Sequence, residues 1–233
     1  MISIKKRIDA EEVLDNFDLN GDELAQTLNE IANVNKALGG NNITIQAVQR
    51  LLKSVDTGSK ITIADIGCGN GDMLRTLSSK LNNRNIAYVG IDANPNAIKI
   101  AEDLSQSDEN ISYKTTNVFE KEFEYIKYDI ALCTLTLHHF TDLEILQLVQ
   151  LMTRNAKFGL IINDLQRSRL AYVLFKLYSW VFQLGNISKE DGLTSILRGF
   201  KKNELIAFSE KIKPKQYTIQ WKWAFRYLWI IKT

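Results

Sequence analysis

The chain has 233 residues, 45% of them hydrophobic and 24% charged, enough apolar mass for one sizeable globular core and too much for a disordered or fibrous protein. Its 29 basic and 27 acidic residues leave a net charge of +2 spread along the sequence, so no basic stripe marks a nucleic-acid partner. Cys68 and Cys133 lack zinc or redox spacing, the first residues carry charge where a secretory peptide would be apolar, and no uninterrupted run reaches the about 18 residues of a spanning helix. The expectation is a reduced, cytoplasmic protein with no metal and no stable membrane insertion.

In chain order, the segment from Asp22 to Leu38 has Leu24, Leu28, Ile31 and Leu38 near helical spacing, with Asp22 as N-cap and Gly39 as the closing glycine. Glycines and asparagines punctuate residues 39–42, and a second short helix resumes at Ile43. Residues 1–58 therefore read as a helical extension or lid, distinct from residues 59–233.

From Lys60 onward, short β-branched runs alternate with helical stretches: ITIADIG, MLRTLSSKL, IAYVGID, PNAIKIAEDL, ISYKTTNV, YDIALCTL, LEILQLVQLMT and FGLIIND. Strands joined by crossovers of about ten residues pair in parallel, which predicts an α/β, doubly wound, Rossmann-like sheet. Asn94 and Pro95 stand where an N-cap and a first helical residue belong. Leu170 to Leu184 is apolar nearly all round, with Lys176 its one charge, and predicts a helix that is buried, serves as a lid, or touches lipid. Tyr217 to Lys232 places Tyr217, Ile219, Trp221, Trp223, Phe225, Tyr227 and Trp229 on odd positions. That period predicts a C-terminal antiparallel hairpin turning near Ala224, its aromatics in the sheet core.

The first strand runs into Asp65, then Gly67, Gly69 and Gly71. Bare backbone beyond the carboxyl end of a strand lets a ligand approach the main chain. A dinucleotide loop needs a glycine at residue 72, which is Asp, and a Walker loop needs a lysine that is missing. Asp65 repels phosphate and accepts hydrogen bonds from an ammonium group. Asp92, ending the next strand, suits ribose hydroxyls. A ribose, an amine and no phosphate describe S-adenosylmethionine.

These motifs resemble the class I S-adenosylmethionine-dependent methyltransferases of small-molecule type, from about Lys60 to the C-terminus. Asp65-Ile66-Gly67-Cys68-Gly69-Asn70-Gly71 matches the first family motif, and Asp92-Ala93 the end of the second strand. Asn117-Val118 stands where the family holds adenine, although Asn117 departs from the commoner Asp. Tyr128 to Cys133 matches the fourth strand. The resemblance implies a mostly parallel seven-stranded sheet, S-adenosylmethionine as cofactor, and Asp65, Gly67, Cys68, Gly69, Asn70, Gly71, Asp92, Ala93, Asn117, Val118 and Cys133 as its binding residues.

Methyl transfer needs an in-line nucleophile held near the methyl carbon. For a phenol or alcohol, histidine is the natural proton acceptor. His138 and His139, the two histidines of the chain, follow the fourth strand and are the expected catalytic residues. Asp164 and Arg167, after the fifth strand, are expected to border the substrate. An N-P-P-Y sequence, which the resemblance associates with nitrogen methylation of amides and bases, is missing after the fourth strand. The expected reaction is O-methylation of a small, largely apolar phenolic, quinol or polyketide-like acceptor; the alternatives are a non-catalytic cofactor-binding scaffold or a protein or RNA methyltransferase. A homodimer is compatible with the sequence.

Overall fold

A computed structural model describes residues 3–233; the first two residues of the expected extension lie outside them. Seven strands form one sheet in the order β3-β2-β1-β4-β5-β7-β6. These are β1 (Ile61–Ile66), β2 (Ile86–Asp92), β3 (Ile111–Thr115), β4 (Tyr128–Thr134), β5 (Ala156–Leu165), β6 (Gln216–Lys222) and β7 (Arg226–Lys232). The first five pair in parallel, and β7 pairs antiparallel with both β5 and β6. The expected fold class, including the C-terminal hairpin, is the observed one.

Alternation along the strands divides the core into two layers, because successive side chains point to opposite faces. Ile61, Ile63, Ile130, Leu132, Leu228 and Ile230 pack on one face with helices α2 (Gly40–Leu51) and α3 (Asp72–Lys80). Ala64, Ile66, Ala131, Cys133, Trp229 and Ile231 pack on the other with α5 (Asp142–Asn155) and α8 (Lys202–Ile212). Helix α4 (Pro95–Leu104) opens as expected, Asn94 accepting from the backbone of Asn96 and Ala97 ahead of Pro95.

Near the N-terminus, α1 (Gly21–Ala37) starts two residues earlier than an Asp22 cap would set it, with Asn20 as N-cap. Gly39, at φ +76°, ends α1 and begins α2 at once. Helix α2 contributes Ile45, Val48 and Leu51 to a sheet layer, whereas α1 and the segment before it cover the carboxyl ends of the strands.

Two expectations about apolar residues are narrowed or corrected. Of the three options for helix α6 (Arg169–Val181), burial is excluded and a lid or lipid-facing helix is left: Leu170, Val173, Leu177 and Trp180 are 57%, 60%, 54% and 73% exposed, and only Ala171 and Ser179 are buried. It lies over α7 (Asn186–Arg198) on the cavity side, touching the protein with one face. In the hairpin, Tyr227 and Trp229 lie in the core, but Tyr217 and Trp221 on the edge strand β6 and Trp223 in the turn after it are exposed.

Candidate active site

A cavity of about 670 Å³ lies across the carboxyl ends of β1, β2 and β4 under α1. One end is the turn after β1. Gly67, Gly69 and Gly71 all have positive φ, at +72°, +52° and +76°, a region that costs other residues roughly 1–2 kcal/mol. The turn is tied to the next strand: Gly67 N–H donates to Ile91 O at 2.8 Å and Gly69 N–H to Asp92 Oδ2 at 2.9 Å. A Cβ at Gly67 would collide with Thr136 and one at Gly71 with Tyr113, while at Gly69 the nearest atom is Leu28 Cδ2 of α1 at 3.6 Å. The main chain at Gly69 thus faces open space between the loop and its cover.

Asp65 is 2% exposed and its Oδ1 has no hydrogen-bond partner. Burial, then repulsion from Asp92 and Asp72, pushes its carboxyl up to about 8. Burial likewise raises Asp92, against hydrogen bonds from the backbone of Asn94, Gly69 and Ala93. An orphaned carboxylate beside exposed backbone and a second acid one strand away accommodates a cation with hydroxyls and disfavours phosphate. The residues present fit S-adenosylmethionine. Asn117 and Val118 line the same cavity farther along, the Asn117 side-chain Oδ1 accepting from Phe119 N–H at 3.0 Å.

The other end is built on the 3₁₀ turn Leu137–His139 after β4. His138 is 2% exposed. Its Nδ1 donates to Asp164 Oδ1 at 2.7 Å, and its Nε2 faces Glu12 Oε1 at 3.6 Å. Burial alone would lower His138, but the Asp164 and Glu12 carboxylates outweigh it and raise it to about 9. His139 is partly exposed; its Nδ1 donates to Asp15 Oδ1 at 2.7 Å and its Nε2 lies 3.9 Å from Glu12 Oε2.

Two arginines fasten the N-terminal segment to this turn. Arg198 donates to Asp15 at 2.8 Å, Ala10 O at 2.9 Å and His139 O at 2.6 Å. Arg7 donates to His138 O at 2.8 Å and Phe140 O at 2.7 Å, and pairs with Asp142. Asp191 accepts from the backbone of Val13 and Leu14, so Glu12 is held over the histidines.

The structure brings Asp65, Gly67, Cys68, Gly69, Asn70, Asp92, Ala93, Asn117, Val118, His138 and His139 to one cavity. It places four other expected residues elsewhere. Cys133 is fully buried and, by strand alternation, points into the α5 layer. Gly71 forms the N-cap of α3 beneath Tyr113 rather than a cavity wall. Asp164 is 1% exposed and is taken up by His138, accepting from its ring at 2.7 Å and from its backbone N–H at 3.2 Å. Arg167 turns inward, its guanidinium donating to Ile4 O and Gly199 O and pairing with Glu204, because the backbone at Gln166 and Arg167 pairs with Phe200.

Residues that the sequence reading missed include Glu12, Asp15 and Arg226. Glu12 and Asp15 sit more than a hundred positions before the histidines, and no local pattern links them. Arg226 is 2% exposed, lines the cavity, and has Nε and Nη1 without partners. Burial lowers it to about 10. It stands among alternating β-formers, where a cation gives no sign of facing inward.

Residues 63–159 match the model of the family described as "Methyltransferase domain". No curated protein matches the sequence. Among solved structures, the plantazolicin methyltransferase BpumL with S-adenosylhomocysteine superposes with a TM-score of 0.67 at 16% identity over 91% of both chains. The magnesium protoporphyrin IX methyltransferase ChlM of Synechocystis PCC 6803, with S-adenosylmethionine bound, gives 0.61 at 14% identity over 97% of this chain and 100% of that one. The CurJ carbon methyltransferase gives 0.62 at 16%, covering 82% of this chain and 53% of the other. The chain has the fold of these solved methyltransferases, and its residues 63–159 match the methyltransferase domain model.

Proposed function

We propose that the protein is an S-adenosylmethionine-dependent methyltransferase acting on a small, largely apolar acceptor, most directly at oxygen. The observation that carries the cofactor half is the buried, unpartnered Asp65 carboxylate beside three positive-φ glycines, with Asp92 closing the far side. In this reading Asp65 receives the methionine ammonium, the main chain around Gly69 accommodates the chain linking it to sulfur, Asp92 accepts the ribose hydroxyls, and Asn117 with Val118 borders the adenine. When bound, the cofactor supplies a methyl group on a sulfonium, displaced in line by an acceptor atom.

The walls beyond the cofactor end support an apolar acceptor. Leu28 and Ile31 of α1, Phe140, Phe175 and Tyr178 of α6, and Phe225 of the hairpin turn face the cavity. Such a lining excludes water and holds the acceptor against the methyl donor, which supplies rate through positioning. Arg226 offers a guanidinium to a carboxylate at this end. His138 and His139 stand at this end of the cavity, each with its Nδ1 on a carboxylate and its Nε2 toward Glu12.

Calorimetry with S-adenosylmethionine, S-adenosylhomocysteine, NAD and ATP tests the cofactor half, with binding of the first two alone expected. Incubation with phenols, quinols and polyketide-like acids, followed by detection of S-adenosylhomocysteine, tests the acceptor half. Uptake of a nucleotide in preference to the sulfonium would end the proposal, and turnover on a peptide or nucleic acid alone would end its acceptor part.

A further inference from the structure

We propose that Glu12, His138 and His139 form a binding site for one divalent transition-metal ion at the acceptor end of the cavity. The three side chains bring one carboxylate oxygen and two imidazole nitrogens within 4.8 Å of one another. Two imidazoles and a carboxylate make a donor set suited to zinc, iron(II) or cobalt(II) rather than to magnesium or calcium.

Two further observations point to an occupant. His138 Nε2 and Glu12 Oε1 are both buried and face each other across 3.6 Å, with Arg198 Nε 4.0 Å from the same Oε1, and among the described residues neither has a hydrogen-bond partner. That gap is too long for a hydrogen bond and close to the ~3.4 Å between two donors that share a metal at bonds of about 2.1 Å. Each histidine also has its other nitrogen anchored: Nδ1 of His138 on Asp164 and Nδ1 of His139 on Asp15, both at 2.7 Å. Carboxylate support of this kind fixes the tautomer that leaves Nε2 as a donor and strengthens it as a ligand. Here it occurs twice, and both Nε2 atoms are turned to the same glutamate.

Glu12 is aimed by Ser195, whose hydroxyl donates to Oε2 at 2.7 Å. His139 is the ligand that borders open space, so a coordination position on its side faces the cavity. If the proposed methyl transfer is correct, an ion there would bind an acceptor hydroxyl and stabilise its deprotonated form, the proton passing to solvent on the open side of the cavity. That role rests on the proposed function; the binding itself does not.

The test uses the full chain, freed of metal by chelator and dialysis and titrated anaerobically with cobalt(II) and separately with zinc(II). Expected are one equivalent bound, a visible cobalt absorption typical of nitrogen and oxygen ligands, and a rise in thermal midpoint. Glu12→Gln and His139→Ala should abolish the equivalent or weaken it more than a hundredfold, and Asp15→Asn should weaken it about 10–100-fold. Circular dichroism and S-adenosylhomocysteine affinity check that each variant is folded. Failure of the wild-type protein to take up either ion would overturn the inference, as would binding unchanged in folded Glu12→Gln and His139→Ala. Metal uptake without cofactor binding would leave the site standing and remove the methyltransferase reading; the converse would do the opposite.

Discussion

If the Asp65 carboxylate receives the ammonium of the cofactor, affinity must follow the ionisation of Asp65. With the group pushed up to about 8 by burial and by Asp92 and Asp72, roughly one ligand-free molecule in ten carries the charged form at pH 7, and one in a hundred at pH 6. Affinity for S-adenosylhomocysteine, which keeps the ammonium and is chemically stable, should tighten about tenfold from pH 6 to pH 7 and level off near pH 8. Each binding event below pH 8 should release close to one proton. Calorimetry in buffers of different ionisation enthalpy reads both quantities, and Asp65→Asn should be weak and flat with pH. The same shift acts on stability. A carboxyl whose folded pKa is raised contributes stability present in full below its unfolded value near 3.8 and lost as pH rises through about 8. The ligand-free protein should therefore melt lower at pH 8.5 than at pH 6.5, and Asp65→Asn should shrink that difference. A pH-independent affinity without proton release would show that the orphaned carboxylate is not where the ammonium sits.

Gly71→Ala forces a Cβ at φ +76° into Tyr113, which hydrogen-bonds Ser105 at 2.7 Å; a loss of about 1–2 kcal/mol or more in urea unfolding is expected, with weaker cofactor binding. Arg167→Met removes a fully buried guanidinium from Glu204 and two carbonyls, and should cost about 3–5 kcal/mol by chemical denaturation. It should leave the KM of any acceptor unchanged, which a substrate-binding arginine would not. Leu177→Ser and Trp180→Ser, at 54% and 73% exposure on α6, should change stability by no more than about 0.5 kcal/mol. A loss of several kcal/mol would mean that this face is covered in solution.

The parts of the molecule legible in sequence are those set by local pattern. Strand and helix alternation, the glycine turn after β1, the Asn94-Pro95 start of α4 and the hairpin all come from residues within one turn or strand of each other. What was illegible depends on neighbours distant in sequence. Composition left α6 open between a buried, a lid and a lipid-facing helix, because whether Leu177 or Phe175 meets protein depends on α7, which covers one face only. Cys133 belongs to the fourth-strand motif, yet alternation turns its thiol away from the cavity. Arg167 looked like part of a polar substrate loop until Gly199 and Glu204, more than thirty residues on, claimed its guanidinium. Glu12 escaped because an acidic residue in a charged N-terminal segment ordinarily faces water, and only Arg7, Arg198 and Asp191 reveal what holds that segment inward.

The fastening of residues 7–15 to the turn at 137–139 by Arg198 has a consequence for biogenesis. Glu12 leaves the ribosome early and Arg198 late, so contacts of such high sequence separation form only after most of the chain has emerged. A nascent polypeptide would own the glycine turn and Asp92 well before the histidine end had gained its glutamate. In refolding kinetics, the nucleoside half should accordingly become competent ahead of the other, with a slower phase reporting arrival of the N-terminal strap.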